Sequence, residues 1–312
     1  MSLVDIRDLC VKFSGQRTVH ALNGVDIALA PGESLGILGE SGSGKSVTLK
    51  AMLRLLPPRR AAITGSIAVD GKDVLAMDAD TLADYRGKTV SMIFQEPALA
   101  LDPVYTLGRQ IEESVVRHEG CDRATARKRA LDMFERVRIP SPARRLDAYP
   151  HEMSGGMRQR AMIALALACR PKVLLADEPT TALDATVQIQ ILLLLRELQR
   201  EMGMAMIFVT HDMGVAVEVS DRIAVMYGGR IVESGGVADV INSPSHPYTR
   251  GLLASTVHGA MRGTRLEAIP GAPPSLATAP TGCSFAPRCK LATPACEAAV
   301  PSMVSVGAAH VA

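Results

Sequence analysis

The sequence predicts an α/β fold, and three observations carry that expectation. Strand-like and helix-like segments alternate between residues 172 and 226. An apolar strand at 34–38 runs into a glycine-rich turn and then a helix-like stretch. Hydrophobic residues make up 47% of the 312, enough for a sizeable core. Such alternation implies parallel strands joined by crossover helices.

In chain order, residues 3–13 and then a stretch near 24–29 read as β structure. The Pro31-Gly32 turn leads into the strand at 34–38, apolar on both faces, and 46–55 reads as helix. Residues 67–74 predict a hairpin turning on Asp70-Gly71, a pair that tolerates the positive φ of a two-residue loop. A strand at 89–94 follows. From about 97 to 168 the character is helical, with helices at 106–118, 123–137 and 155–169. Strand 172–176, helix 185–202, strand 204–209, a helix around Val215 and strand 222–226 complete a first domain of 1–243. Proline, glycine and alanine dominate afterwards, so 244–312 is expected to be a small irregular appendage.

Lysine and arginine number 34 against 32 acidic residues, a balance that argues against nucleic-acid binding through a strong basic face. No apolar run approaches the roughly eighteen residues of a membrane span. The opening MSLVDIRDLC lacks the basic-then-apolar order of a signal peptide, so a cytosolic chain that meets a membrane only through partners is expected. Cys10, Cys121 and Cys169 stand alone in apolar or helical contexts and read as buried small hydrophobes.

GESGSGKS, formed by Gly39, Glu40, Ser41, Gly42, Ser43, Gly44, Lys45 and Ser46, fits G-x-x-x-x-G-K-[ST] at every fixed position between a strand and a helix. Glycines let backbone N–H groups close around phosphate oxygens, and the helix that follows, from Ser46 and Val47 onward, points its positive end at them. Lys45 is the candidate for the β- and γ-phosphates and Ser46 for Mg²⁺. VLLADEP is a hydrophobic strand ending in two acids. Asp177 is placed to hold the metal through water and Glu178 to act as general base. These two motifs indicate a P-loop nucleotide triphosphatase.

Three further pieces narrow the class. MSGGM, around Ser154, Gly155 and Gly156, opens a helix between the two nucleotide motifs and resembles the LSGGQ signature of ABC ATPases, with methionine at both outer positions. Gln95 in IFQEP matches that family's glutamine loop, His211 in VTHD its switch histidine, and Asp184 in TALD its D-loop. The resemblance spans nearly all of 1–235. It implies a cassette with a RecA-like core, an antiparallel β subdomain and a helical subdomain at about 97–168. It also implies that two cassettes meet head to tail, each ATP held between one subunit's 39–46 loop and the other's Ser154, Gly155, Gly156 and Asp184. Gln95 then touches Mg²⁺ and the attacking water, His211 the γ-phosphate. Adenine stacks on an N-terminal aromatic in this family; Phe13 is the candidate, with core packing as the alternative.

The segment between Ser46 and Met153 leaves no room for the long coiled coils of DNA-repair relatives, and a single cassette sets aside the two-cassette translation factors. SPSHPYTRGLLAS, at 243–255, and the upstream YPHEMSGGM resemble the ATPase subunits of dipeptide and oligopeptide importers. Those subunits carry C-x-F-x-x-R-C and a further cysteine; here stand CSFAPRC, with Cys283 and Cys289, and then Cys296. The resemblance implies a peripheral subunit at the cytoplasmic face of the inner membrane. Its partners would be a second ATPase subunit, like or unlike, two permeases and an extracytoplasmic solute-binding protein, with no nucleic acid. Nickel, glutathione or another small solute is the alternative cargo, and a soluble regulatory ABC ATPase the rival from another class. For the three cysteines a disulfide is disfavoured in a reducing compartment. A [4Fe–4S] cluster, which the resemblance implies for some relatives, a zinc site, or no metal remain open, with His310 or an outside group as fourth ligand.

Overall fold

The computed structural model describes residues 2–181, 183–255, 268–307 and 309–312. The chain begins with β1 (Val4–Phe13), β2 (Val19–Leu29), β3 (Ser34–Leu38), α1 (Lys45–Met52), β4 (Ala61–Val69) and β5 (Lys72–Asp73). There follow α2 (Ala79–Lys88), β6 (Val90–Ile93), α3 (Pro97–Ala100), α4 (Leu107–Glu119), α5 (Arg123–Arg136) and α6 (Pro142–Leu146). Next come α7 (Gly155–Leu167), β7 (Val173–Asp177), α8 (Ala185–Met202), β8 (Ala205–Thr210) and α9 (Met213–Val219). The chain closes with β9 (Arg222–Tyr227), β10 (Arg230–Gly236), α10 (Val237–Asn242), α11 (Pro247–Ala254), α12 (Pro294–Ala298), β11 (Ser305–Gly307) and β12 (His310–Val311). Two compact units result. One is built from residues up to 30, 34–75 and from 209 onward, the other from 31–33 and 76–208.

In the first unit an antiparallel sheet has the order β2-β1-β4-β5. β1 buries Val4 and Ile6, then Leu9 and Val11, so its two-residue period breaks once. The break falls at Asp8, where φ is +45° and the pairing with β2 shifts from Ile6–Ile27 to Leu9–Val25. A bulge of this kind re-phases a strand so that apolar residues on both sides of it face one core. The Asp70-Gly71 turn has φ values of +52° and +74°, the left-handed pair that the sequence predicts for this hairpin.

The same unit holds strands in the order β11-β12-β10-β9-β3, with β3 parallel to β9 and β10 antiparallel to it. The sequence reading missed β10. Its signal was the Gly228-Gly229 pair, a two-residue loop at φ +58° and +78° joining paired Tyr227 and Arg230. Most of the described residues of 244–312 lie outside helices and strands, yet side-chain packing ties them to the rest of the unit. Tyr248 from α11 and Phe285 pack with Tyr227 of β9, the ring centroids lying 4.4, 5.2 and 5.4 Å apart, inside a core with Leu38, Val225 and Val240. Aromatic contacts between distant segments order this region and leave no periodicity in the sequence.

In the second unit the strands run β8-β7-β6, with β6 and β7 parallel. The predicted helices are present with ends shifted by a residue or two. Thr106, Asp122, Ser154 and Asp184 cap α4, α5, α7 and α8, each accepting a backbone N–H bond. Gly120 and Gly203 end α4 and α8 in the left-handed conformation. Helix α2 was not predicted; Asp78 caps it. Of the isolated cysteines Cys169 is buried, while Cys10 and Cys121 are half-exposed, so the buried reading holds for one. Among the described residues no helix is long and apolar enough to cross a membrane.

Candidate functional site

The loop after β3 takes its shape from its neighbours. Gly39 has φ +156°, and a Cβ there would stand 2.2 Å from the Met226 carbonyl oxygen. Gly44, at φ +110°, starts α1 with a Cβ position 2.7 Å from Leu22 and 2.9 Å from the Ala21 carbonyl. Neither position accepts a side chain. The loop is also tied to the β9–β10 turn, where Gly229 N–H donates to the Ser43 carbonyl at 3.0 Å. Gly42, by contrast, faces open space.

Within this frame the Lys45 ammonium, only 5% exposed, folds back and donates to the Gly39 and Glu40 carbonyls at 2.8 and 3.0 Å. The buried Ser43 hydroxyl has no hydrogen-bond partner among the described residues. Ser46 and Val47 are half-buried in the first turn of α1. A buried lysine, an unsatisfied hydroxyl and a helix N-terminus around an open glycine make a cradle suited to phosphate oxygens.

Glu40 has a more crowded setting. Its N–H donates to the Tyr248 hydroxyl at 2.9 Å, and its carboxylate accepts two bonds from the Arg288 guanidinium at 2.7 and 3.1 Å. The Arg288 side chain is 5% exposed against 28% for Glu40. These bonds hold Arg288 charged well above its ordinary range, whereas burial pushes the Tyr248 phenol up. Sequence reasoning quoted Tyr248 and Arg288 only as letters of the SPSHPYTR and CSFAPRC motifs and gave them no task.

His211 follows β8 and is exposed, one residue before Asp212, whose carboxylate caps α9. Phe13 ends β1 half-buried, opposite Val19 and Ala61.

The second unit presents the acidic strand and the serine–glycine segment. All of β7 is buried, and it ends in Asp177, also buried. Glu178 comes next at φ +44°, a left-handed conformation unusual for a residue with a Cβ. Its carboxylate accepts a 2.9 Å bond from the Thr181 hydroxyl. Strain kept at such a position is characteristic of functional sites. Gln95 is exposed two residues beyond β6.

Ser154 caps α7, its hydroxyl accepting from Met157 N–H at 3.4 Å, and Asp184 caps α8 through Val187 N–H at 3.0 Å. The two helix starts touch: a Cβ on Gly156 would lie 2.9 Å from Val187. Ser154, Gly155 and Asp184 are exposed, while Met153 is buried, so the methionine at the motif's outer edge serves the core.

Residues 22–181 match the family model for ABC transporter, and 232–296 match that for the C-terminal region of oligopeptide/dipeptide transporters. The chain belongs to the ABC transporter ATP-binding family. A peptide import ATP-binding protein of Brucella melitensis is 49% identical over 99% of this chain and 95% of its own length. A peptide ABC transporter ATP-binding protein of Sinorhizobium fredii is 50% identical over 99% of this chain and 93% of its own. Among solved structures, a dimeric ATP-binding cassette bound to ADP and Pi is 30% identical, with a TM-score of 0.67 over 75% of this chain and 98% of that one. The α/β ABC cassette and the importer-type C-terminal region that the motifs implied are therefore both present.

Of the three readings left open for the cysteines of this ABC subunit, the two that need a metal find no support in the structure. Among the described residues no group of three or more His, Cys, Asp or Glu side chains is placed to hold a metal ion. Cys283 and Cys289 pack against the aromatic core, and the Cys296 sulfur lies 3.4 Å from the Thr293 hydroxyl, which holds that thiol below its ordinary range. His310, the proposed fourth ligand, is buried with Nε2 at 2.7 Å from the fully buried Glu233. The cysteine segments are joined through the backbone instead, Cys283 N–H donating to the Cys296 carbonyl at 2.7 Å. These residues do not fit an iron–sulfur cluster or zinc in this arrangement.

Proposed function

We propose that this chain is the ATP-hydrolysing motor subunit of an importer for dipeptides and oligopeptides. The observation that carries the reading is the loop after β3, where buried Lys45 and the unsatisfied Ser43 hydroxyl surround an open Gly42 at the start of α1. The importer class draws support from the match of 232–296 to the oligopeptide/dipeptide transporter C-terminal region and from the names of the relatives. Nickel, glutathione or another small solute stays the alternative cargo.

In this reading the backbone of 39–44 receives the phosphate oxygens, and Lys45 exchanges its carbonyl partners for the β- and γ-phosphates. Ser46 and Gln95 would hold Mg²⁺ by a hydroxyl and an amide oxygen, and the Asp177 carboxylate would hold it through water, the oxygen donors such a hard ion takes. The ion would supply charge neutralisation at the phosphates. Glu178 accepts the proton of the attacking water and His211 contacts the γ-phosphate. Phe13 stacks on adenine. Ser154, Gly155, Gly156 and Asp184 contact the nucleotide of a second ATPase subunit. Closure of that pair drives two permeases at the cytoplasmic face of the membrane, fed by an extracytoplasmic binding protein.

The test is Glu178→Gln in the assembled transporter. Steady-state ATP hydrolysis should fall at least a hundredfold, the usual contribution of a general base, with Mg-ATP binding retained. Hydrolysis at the wild-type rate refutes the role of Glu178, and failure of the wild-type chain to bind Mg-ATP refutes the motor reading itself.

A further inference from the structure

We propose that Arg288 is a positioning residue for nucleotide binding, holding Glu40 and with it the phosphate loop, so that the C-terminal region sets how tightly the triphosphate is gripped. The inference rests on the ATP-binding reading above and goes beyond it by giving the C-terminal region a task in that site.

Glu40 places a carboxylate in a loop built to receive several negative charges. Left unpaired, its negative charge would repel the phosphates, because like charges in a partly buried setting are weakly screened. Arg288 removes the conflict. Its planar fork meets both carboxylate oxygens, at 2.7 and 3.1 Å.

The guanidinium is itself fixed by its other donors. Nε donates to the Pro270 carbonyl at 2.8 Å, Nη2 to the Ile269 carbonyl at 3.3 Å and Nη1 to the Tyr227 hydroxyl at 3.1 Å. With the two bonds to Glu40, all five N–H donors of the guanidinium are engaged. The cation also lies 5.8 Å from the Tyr227 ring centroid and 6.0 Å from that of Phe285. Arg288 thus belongs to a rigid core, and Glu40 is the more exposed group that it pins.

A second tie acts on the same residue. Glu40 N–H is committed to the Tyr248 hydroxyl, and its carbonyl accepts from Lys45 Nζ. The C-terminal region therefore holds Glu40 by side chain and by backbone, immediately beside the lysine that must grip the nucleotide. Lysine in place of Arg288 offers one compact ammonium with three donors and cannot reproduce the fork.

The experiment measures Mg-ATP binding to the full chain by calorimetry, and KM and kcat in the assembled transporter. Arg288→Met should raise the Kd for Mg-ATP about tenfold, less than a fully buried pair would lose because Glu40 is partly exposed. Arg288→Lys should fall between it and wild type, and the change should appear in KM more than in kcat. In a Glu40→Gln background Arg288→Met should cost about threefold or less, because the repulsive carboxylate is gone. Tyr248→Phe keeps the packing and the ion pair while releasing the Glu40 N–H, and it should weaken binding by about threefold. It also keeps the test decisive should Arg288→Met fail to fold. The proposal is overturned if Arg288→Lys and Tyr248→Phe both bind Mg-ATP within twofold of wild type, or if Arg288→Met costs the same factor in both backgrounds. Absent binding by the wild-type chain overturns the motor reading and this inference together.

Discussion

Replacing Glu178 with glycine and, separately, with alanine turns its backbone conformation into a measurable quantity. Both variants lose the carboxylate and the bond from the Thr181 hydroxyl, so they differ in the backbone alone. At φ +44° a residue with a Cβ is strained by roughly 1–2 kcal/mol, which glycine escapes. Glycine also loosens the unfolded chain, and that effect disfavours folding by about 0.4–1 kcal/mol relative to alanine. The strain term wins. Glu178→Gly should be more stable than Glu178→Ala by about 0.5–1 kcal/mol, although both are inactive. Urea denaturation without nucleotide reads this as a higher midpoint at unchanged slope. A glycine variant less stable than the alanine variant by 0.5 kcal/mol or more would refute a left-handed Glu178, because only the unfolded-state term would remain.

Phe285→Ala empties a position flanked by Tyr227, Tyr248 and His246. It should destabilise the chain by about 3–5 kcal/mol in the same assay, and a loss under 1 kcal/mol would show that the aromatic trio is not a packing core. Gly282→Ala would set a Cβ 2.4 Å from the Glu297 carbonyl and 2.5 Å from that of Cys296. It should break the Cys283–Cys296 backbone bond and lower the thermal midpoint by several degrees, whereas an unchanged midpoint contradicts that close approach. Burial holds the His246 and His118 imidazoles below their ordinary value of 6.5. The unfolded chain therefore takes up protons that the folded chain refuses, so stability is intact above pH 6.5 and declines as pH falls below it. Thermal unfolding at pH 7.5 and 5.5 checks this, and His246→Asn, which keeps a capping acceptor at the start of α11, should show a smaller decline.

The cassette was legible because its elements are governed by local rules. GESGSGKS, VLLADEP and the Asp70-Gly71 turn name their geometry through residue type and spacing. β10 was missed although Gly228-Gly229 was in plain view, because only residues near its start are apolar and it runs out through Glu233 and Ser234 into two glycines. α2 was missed because its residues show little amphipathic period. The packing of the C-terminal region was not legible for a deeper reason. Tyr248, Phe285 and Arg288 derive their order from Tyr227 and Glu40, partners many residues away, and no window of sequence holds both ends of those contacts. The cysteine spacing left a metal site and none both open, and the structure places Cys283 and Cys289 against the aromatic core, with a backbone bond joining the Cys283 and Cys296 segments.

The Gly228-Gly229 tip has a practical meaning for anyone engineering this protein. Asn23 donates its side-chain amide to the Gly228 carbonyl and its N–H to that of Gly229, while Gly229 N–H reaches Ser43. A turn with high hydrogen-bond occupancy on every side has no slack to absorb an inserted epitope or fluorophore. Lengthening it by even one residue would tug directly on the glycine-rich loop after β3, making this hairpin end the wrong surface for a label.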